Sequence, residues 1–426
     1  MKLLILGSGG REHAIAWRLA QSPSVEKLYA APGNPGIARV AECLKPPEVT
    51  PEGYLALATQ LEADLTVVGP EAPLVAGVVD RFRQAGRLIV GPAAAAARLE
   101  GSKIFAKEAM VRFGVPTAAY ATVHDYPGAL AALGRFNYPV VLKADGLAAG
   151  KGVIIAQNRR EAEETAQGLL SGALVGSAGS QLVIEEFLEG EEVSFIALSD
   201  GRYILPLEPT QDHKAVFDGD KGPNTGGMGA YCDSRILTSA QTGEIIDRVM
   251  LPVIDGMRRE GQPFTGFLYA GLMMTAAGIK VLEFNVRLGD PETQALMHRL
   301  NCDLAPLLMA AAQGDLQTAK AAWNEAPSVC VVMASDGYPG TPRTGDAITG
   351  TEEAEALRAT VFHAGTRLAG SELVTSGGRV LGVTASGDDL AAAIQHTYAA
   401  VEKIGFEGMH YRRDIGRKGL KWWQCL

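Results

Sequence analysis

Apolar residues gather in short unbroken runs along the first hundred positions, and each run ends in a turn rich in glycine or proline. Leu3 to Leu6, Lys27 to Ala31, Leu65 to Val68 and Leu88 to Val90 read as strands, with Glu12 to Gln21 as a helix between the first two. Runs that are apolar at nearly every position, rather than every second one, predict strands buried on both faces by flanking helices. The fold class expected here is α/β, with an N-terminal doubly wound parallel sheet. The turns Gly7 to Glu12, Ala31 to Gly36, Gly69 to Pro73 and Gly91-Pro92 follow the carboxyl ends of those strands, where such sheets bind ligands, so they are expected to line one crevice.

From about Leu99 the pattern changes. Gly101-Ser102-Lys103 caps a helix, and Thr117 to Val123, Val140 to Lys143, Leu182 to Glu186 and Leu268 to Met274 read as strands. From about Pro327 the chain is strand-rich again, at Val329 to Ala334, Val361 to Ala364 and Arg379 to Ala385. It ends in a basic tail, Arg412 to Lys421, for which no role beyond packing is expected. These changes divide the chain into 1–100, 101–326 and 327–426.

Two motifs carry chemistry. In the first, the strand Val140 to Lys143 runs into Ala144-Asp145-Gly146-Leu147-Ala148-Ala149-Gly150-Lys151-Gly152-Val153. Gly146, Gly150 and Gly152 let backbone N–H groups approach an anion, and Lys143 and Lys151 supply positive charge, so the loop suits a nucleotide polyphosphate. Gly152 stands where a P-loop carries a hydroxyl for magnesium, so metal ligands have to come from elsewhere. A hairpin tip with two solvated lysines is the plain alternative for this loop taken alone. The second motif, Ile279 to Glu292, begins as a strand on which Glu283, Asn285 and Arg287 share one face, about 6 to 7 Å apart. A carboxylate and an amide oxygen suit a hard cation held against phosphates, with the guanidinium beside them for developing negative charge.

Other turns admit two readings. Gly7-Ser8-Gly9 is not a dinucleotide fingerprint, because Glu12 occupies the third glycine position and the second strand ends without an acid. Either a phosphate sits on the N–H groups of Gly9 and Gly10 with Arg11 assisting, or the turn is tight and unliganded. His13 is read as a residue that packs the helix or supports a site residue from behind. The exit from Leu182 to Glu186 into Phe187-Leu188 could present its backbone to an adenine edge, with a nearby glutamate for ribose hydroxyls, or be an ordinary hairpin. Gly222 to Tyr231 reads as a loop too glycine-rich for a core, closing on a ligand.

The composition narrows the partners. The 426 residues, 47% hydrophobic, are enough for two to four domains. A net charge of -9 without lysine or arginine runs excludes nucleic acid as the substrate. The five cysteines, 43, 232, 302, 330 and 425, are scattered, which disfavours both a disulfide framework and a zinc site and suits a reducing cytoplasm. No apolar run reaches membrane-spanning length.

Taken together, Gly9 to His13, Ala31 to Asn34, Val68 to Leu74, Lys143 to Val153, Gln211 to Lys214, Gly222 to Tyr231 and Gly289 to Thr293 resemble the glycinamide ribonucleotide synthetases, or phosphoribosylamine–glycine ligases, of the ATP-grasp superfamily, nearly end to end. The resemblance implies a central ATP-grasp fold with a mobile lid at about 119–193, followed by a small strand-rich C-terminal domain. It implies a monomer that joins glycine to 5-phosphoribosylamine through glycyl phosphate, consuming ATP with magnesium or manganese. The metal ligands would be Glu283 and Asn285. ATP contacts would fall to Lys103, Lys143, Gly150, Lys151, Gly152, Glu185, Glu186, Phe187, Leu188, Glu192 and Lys214, and substrate contacts to Gly9, Gly10, Arg11, Asn34, Glu71, Asp212, Arg287, Gly289 and Asp290. Arg287, Lys151 and Asp212 would be catalytic, Asp212 by taking the glycine ammonium. Two rivals are another ATP-grasp ligase acting on a ribonucleotide, and a nucleotide sensor without catalysis.

Overall fold

The computed structural model describes residues 1–147, 152–174 and 181–423. Its N-terminal sheet has five parallel strands in the order Glu42–Cys43, Lys27–Pro32, Lys2–Gly7, Leu65–Val68, Ile89–Val90. The chain builds outward on one side of Lys2–Gly7 and then returns to build on the other, which puts the switch point between Lys2–Gly7 and Leu65–Val68. Leu3 to Leu6 are fully buried, as an unbroken apolar run requires when both faces of a sheet are covered. The helix Gly10–Leu19 springs from the first strand directly at that switch point.

The central sheet is antiparallel and has nine strands. Eight lie in the order Gly278–Asn285, Thr265–Thr275, Glu191–Asp200, Thr210–Asp212, Gly229–Cys232, Ser328–Ala334, Arg379–Ser386, Thr360–His363, and Ile204–Pro206 pairs with Glu191–Asp200 off this path. The strands after residue 327 therefore continue the same sheet through the pairing of Gly229–Cys232 with Ser328–Ala334. This corrects the two ends of the Gly222 to Tyr231 reading, since only Thr225 to Met228 is a loop, and Thr225 and Gly226 of it line the cavity described below. Lys221–Asn224 forms a hairpin with Ala215–Phe217, and Ala230, Tyr231 and Cys232 are fully buried in mid-sheet. Gly229 fits there because a side chain would meet the Cys330 carbonyl oxygen 2.7 Å away.

A third sheet, in the order Tyr120–Val123, Leu182–Glu186, Val140–Ala144, Val153–Ala156, is covered by the helices Tyr126–Leu133 and Arg159–Leu170. It has its own apolar cluster, including Leu142, Leu169 and Ile184, separate from the two large cores. The segment from Arg412 packs against the fold, as expected of it. Arg412 is buried, donating to Asp220, Asp414 and the Ala215 carbonyl at 2.7 to 3.0 Å, because a guanidinium taken out of water requires such partners. No helix among the described residues is long and apolar enough to cross a membrane.

Candidate functional site

A cavity of about 530 Å³ opens where the three sheets meet. Arg11 and Glu71 reach it from the N-terminal sheet, Lys143 and Glu185 from the third sheet, and Asp212, Glu283, Asn285 and Arg287 from the central one. Tyr338 and Arg379 close it from the C-terminal segment.

One end is rich in lysine. Ser102 caps the helix Lys103–Phe113 by accepting from the Phe105 N–H, and its hydroxyl donates to Asp145, which also accepts the Ile104 N–H. The start of this helix is thereby pinned to the glycine-rich loop, and Lys103 Nζ donates to the Gly146 carbonyl at 3.1 Å. One turn further along, Lys107 joins the same face. Lys107 and Lys143 share the buried Glu185 carboxylate, at 3.1 and 3.0 Å, and Lys143 also donates to the Leu282 carbonyl. Burial lowers the Lys107 ammonium to about 8, although Glu185 opposes the shift. Gly152 lines the cavity, while Gly150 and Lys151 lie outside the described residues.

The strand Gly278–Asn285 presents the candidate metal ligands through a local irregularity. Strict alternation would put Glu283 and Asn285 on the face of Ile279 and Val281, which are core residues. Pairing slips between Gly271 and Leu272, so that Val281 faces Leu272 while Glu283 faces Gly271, and the intervening Leu282 is the extra residue of a bulge. Past the bulge Glu283 and Asn285 turn into the cavity and Phe284 into the core. Burial would raise the Glu283 carboxyl, but Lys214, Lys143, Lys103 and Arg287 outweigh it and hold it below the usual carboxylate range. Among the described residues no donor hydrogen-bonds this carboxylate. A partly buried, ionised oxygen donor without a protein partner fits a divalent cation, with the Asn285 amide oxygen two residues away. No group of three or more His, Cys, Asp or Glu side chains suited to a metal occurs among the described residues, so phosphate and water oxygens would complete the shell.

The other end is built on arginine. Arg287 Nη2 lies 2.8 Å from Glu100 and donates to Asn285 Oδ1 at 3.1 Å, and Nε lies 3.4 Å from Glu71. That Nε is buried with no acceptor in hydrogen-bonding geometry. Burial would lower the guanidinium, but Glu100 and Glu71 reverse this and keep it firmly charged. Asp212 behaves differently. Burial, reinforced by Glu292, Glu192 and Glu283 against Lys214, raises its carboxyl to about 7. Lys214 pairs with Glu192 at 2.8 Å. Asp290 is held ionised against burial mainly by Arg379 and Arg11, and accepts from Gln294 at 2.8 Å.

Several expected residues stand elsewhere. The Gly9 N–H is taken by the Glu12 carboxylate at 2.5 Å, and Arg11 Nε donates to the same group, so this N–H is not free for a phosphate. Gly10 and Gly289 do not line the cavity; a side chain at Gly10 would strike Gln294, and one at Gly289 would strike Glu292. Asn34 spends its amide on the Ser8 and His363 carbonyls and accepts the Ile37 N–H, tying the first sheet to the C-terminal segment. Glu186 accepts from the Ala119 N–H and pairs with Lys280, Phe187 is exposed and Leu188 half-buried, so only Glu185 of that stretch reaches the cavity. His13 packs as expected, accepting the His363 N–H at 2.7 Å.

Sequence reasoning missed Lys107, Glu100, Glu292, Tyr338 and Arg379. The spacing of four from Lys103 would have indicated Lys107, and the glycine pair before Arg379 hinted at a close approach.

Comparison with known proteins covers nearly the whole chain. Residues 1–100 match the family description "Phosphoribosylglycinamide synthetase, N domain", 101–293 its ATP-grasp (A) domain, and 328–418 its C domain. A phosphoribosylamine–glycine ligase of Pseudomonas aeruginosa is 51% identical over 422 residues, covering 99% of this chain and 98% of that one. The chain belongs to the phosphoribosylglycinamide synthetase family. A second member, the ligase of Yersinia pestis, is 50% identical over 425 residues, covering 99% of each chain. The crystal structure of phosphoribosylamine–glycine ligase from Thermotoga maritima superposes with a TM-score of 0.87 at 35% identity, over 97% of this chain and 100% of that one. The biotin carboxylase domain of Hydrogenobacter thermophilus 2-oxoglutarate carboxylase, at 18% identity and a TM-score of 0.72 over 96% and 91% of the chains, shares the fold of this family.

Proposed function

We propose that this chain is an ATP-dependent ligase that joins glycine to 5-phosphoribosylamine, giving glycinamide ribonucleotide, ADP and phosphate in purine biosynthesis. The observation that carries the chemistry is Glu283, an ionised carboxylate with no hydrogen-bond donor among the described residues, facing a cavity between a lysine end and an arginine end. A glycine carboxylate is a poor acylating agent until one of its oxygens becomes a leaving group. Transfer of the γ-phosphoryl group to that oxygen gives glycyl phosphate; attack by the ribosylamine nitrogen then forms the amide and expels phosphate.

Lys103, Lys143 and Lys151 would hold the β- and γ-phosphates, with Lys107 and Glu185 fixing the Lys143 ammonium. Magnesium or manganese on Glu283 and Asn285 would neutralise phosphate charge when bound. Arg287, which lines the cavity and is kept charged by Glu100 and Glu71, would receive the glycine carboxylate and then the acyl phosphate. Asp212 in its ionised form would hold the glycine ammonium. Arg11, Glu71 and Asp290 would take the phosphoribosylamine. Adenine would lie beside Leu99, Ala106 and Met110, apolar residues of the same cavity.

The ligase is taken to act as a monomer in the cytoplasm. ADP release that requires both glycine and phosphoribosylamine tests the reading. ADP release independent of either one would refute it.

A further inference from the structure

Gly226 lines the cavity, and both of its backbone polar groups are held by the C-terminal segment. Its N–H donates to the Tyr338 hydroxyl at 2.9 Å, and its carbonyl accepts from Arg379 Nη1. The same Nη1 donates to the Asp290 carbonyl at 2.6 Å, while Nη2 lies 3.2 Å from the Asp290 carboxylate. One guanidinium thus joins two loops that come from different stretches of the central region. The contact is close enough that a side chain at Gly226 would meet the Arg379 guanidinium carbon at 3.0 Å.

The hold extends further into the site. Thr225 Oγ1 donates to the Lys214 carbonyl and accepts the Gly227 N–H, so the loop carrying Gly226 is rigidly joined to Lys214. Lys214, Thr225, Gly226 and Asp290 all line the cavity, and the contacts of Arg379 and Tyr338 fall on Gly226 and Asp290 rather than on Lys103, Lys107 or Lys143.

We propose that Arg379 and Tyr338 are positioning residues that clamp the Gly226 loop onto Asp290 and so shape the part of the cavity that receives glycine and phosphoribosylamine. The C-terminal segment is then a working wall of the active site. Assignment of the two substrates rests on the function proposed above; the clamp itself does not.

Two measurements on the full chain test it, with Arg379→Gln, Arg379→Lys and Tyr338→Phe. Hydrogen exchange of residues 222–228, which needs no substrate, is expected to rise in Arg379→Gln and in Tyr338→Phe; unchanged exchange in both overturns the clamp. In steady-state kinetics, losing a charge-assisted bridge is expected to lower kcat/KM for glycine and for phosphoribosylamine about 10- to 100-fold, while ADP affinity by calorimetry stays within about twofold. Lysine, able to reach one carbonyl, should restore part of the loss. Parallel loss of ADP affinity, or kcat/KM within about threefold of the wild type for both substrates, overturns the positioning role. A wild-type protein that turns over neither substrate would instead refute the functional reading, leaving the exchange experiment to decide the clamp.

Discussion

Lys143 Nζ lies 3.0 Å from Glu185 Oε2, and Lys107 Nζ lies 3.1 Å from the other oxygen of the same carboxylate, so one buried glutamate holds two buried ammonium groups. Lys143 spends a second proton on the Leu282 carbonyl, and its side chain lines the cavity. Glu185→Gln leaves two buried cations sharing a neutral partner. Its stability to urea should fall by about 3 kcal/mol, since breaking a buried pair costs more than the pair contributes. ADP affinity should fall with it. An unfolding midpoint equal to that of the wild type would show that Glu185 does not organise these lysines.

His13 and His363 join the first sheet to the C-terminal segment, with ring centroids 5.6 Å apart. Burial lowers the His13 imidazole to about 3 and that of His363 to about 4, from a usual 6.5. Both are neutral when folded, so the unfolded chain binds more protons below about pH 6.5. Their stabilising contribution is complete above that pH and is lost progressively toward about pH 4 for His363 and about pH 3 for His13, by up to about 2 kcal/mol for each at pH 5. Urea midpoints at about pH 5 and 7.5 should differ, and His13→Gln, which cannot titrate, should reduce the difference. The same pH dependence in the variant would contradict this.

Glu283→Gln should leave the fold intact, because this carboxylate accepts no hydrogen bond from the described residues. It should nevertheless lower ligation by on the order of a hundredfold or more, since it removes a full charge from the proposed metal position. Circular dichroism and a melting curve check the first statement and ADP release the second. Wild-type activity at ordinary magnesium would remove Glu283 from the metal site.

The strands Leu65–Val68 and Leu182–Glu186 were legible because turn residues bound a short apolar run at each end. Glu191–Asp200 was not, since its two leading acids look like a surface hairpin although Val193 to Leu198 are core. Gly229–Cys232 was hidden for the opposite reason: glycines that signal a loop here allow two strands to come close. In the site, Glu283 and Asn285 were legible from their spacing, although a bulge rather than simple alternation turns them inward. Arg379 lies 89 residues from the Asp290 carbonyl it holds, and no local pattern encodes such a contact. The Gly9 turn read as an anion site because glycine and a helix start suit phosphate, and the carboxylate of the chain's own Glu12 takes that place.

The function proposed above requires glycine to be activated as an acyl phosphate. One carboxylate oxygen then bridges carbon and phosphorus and leaves on phosphorus when the amide forms. Glycine labelled with oxygen-18 in both carboxylate positions, incubated with ATP, magnesium, phosphoribosylamine and the wild-type protein, should yield inorganic phosphate carrying one labelled oxygen, with ADP as the nucleotide product. Unlabelled phosphate, or label recovered in AMP, would contradict the mechanism and with it the roles given to Arg287 and the lysines.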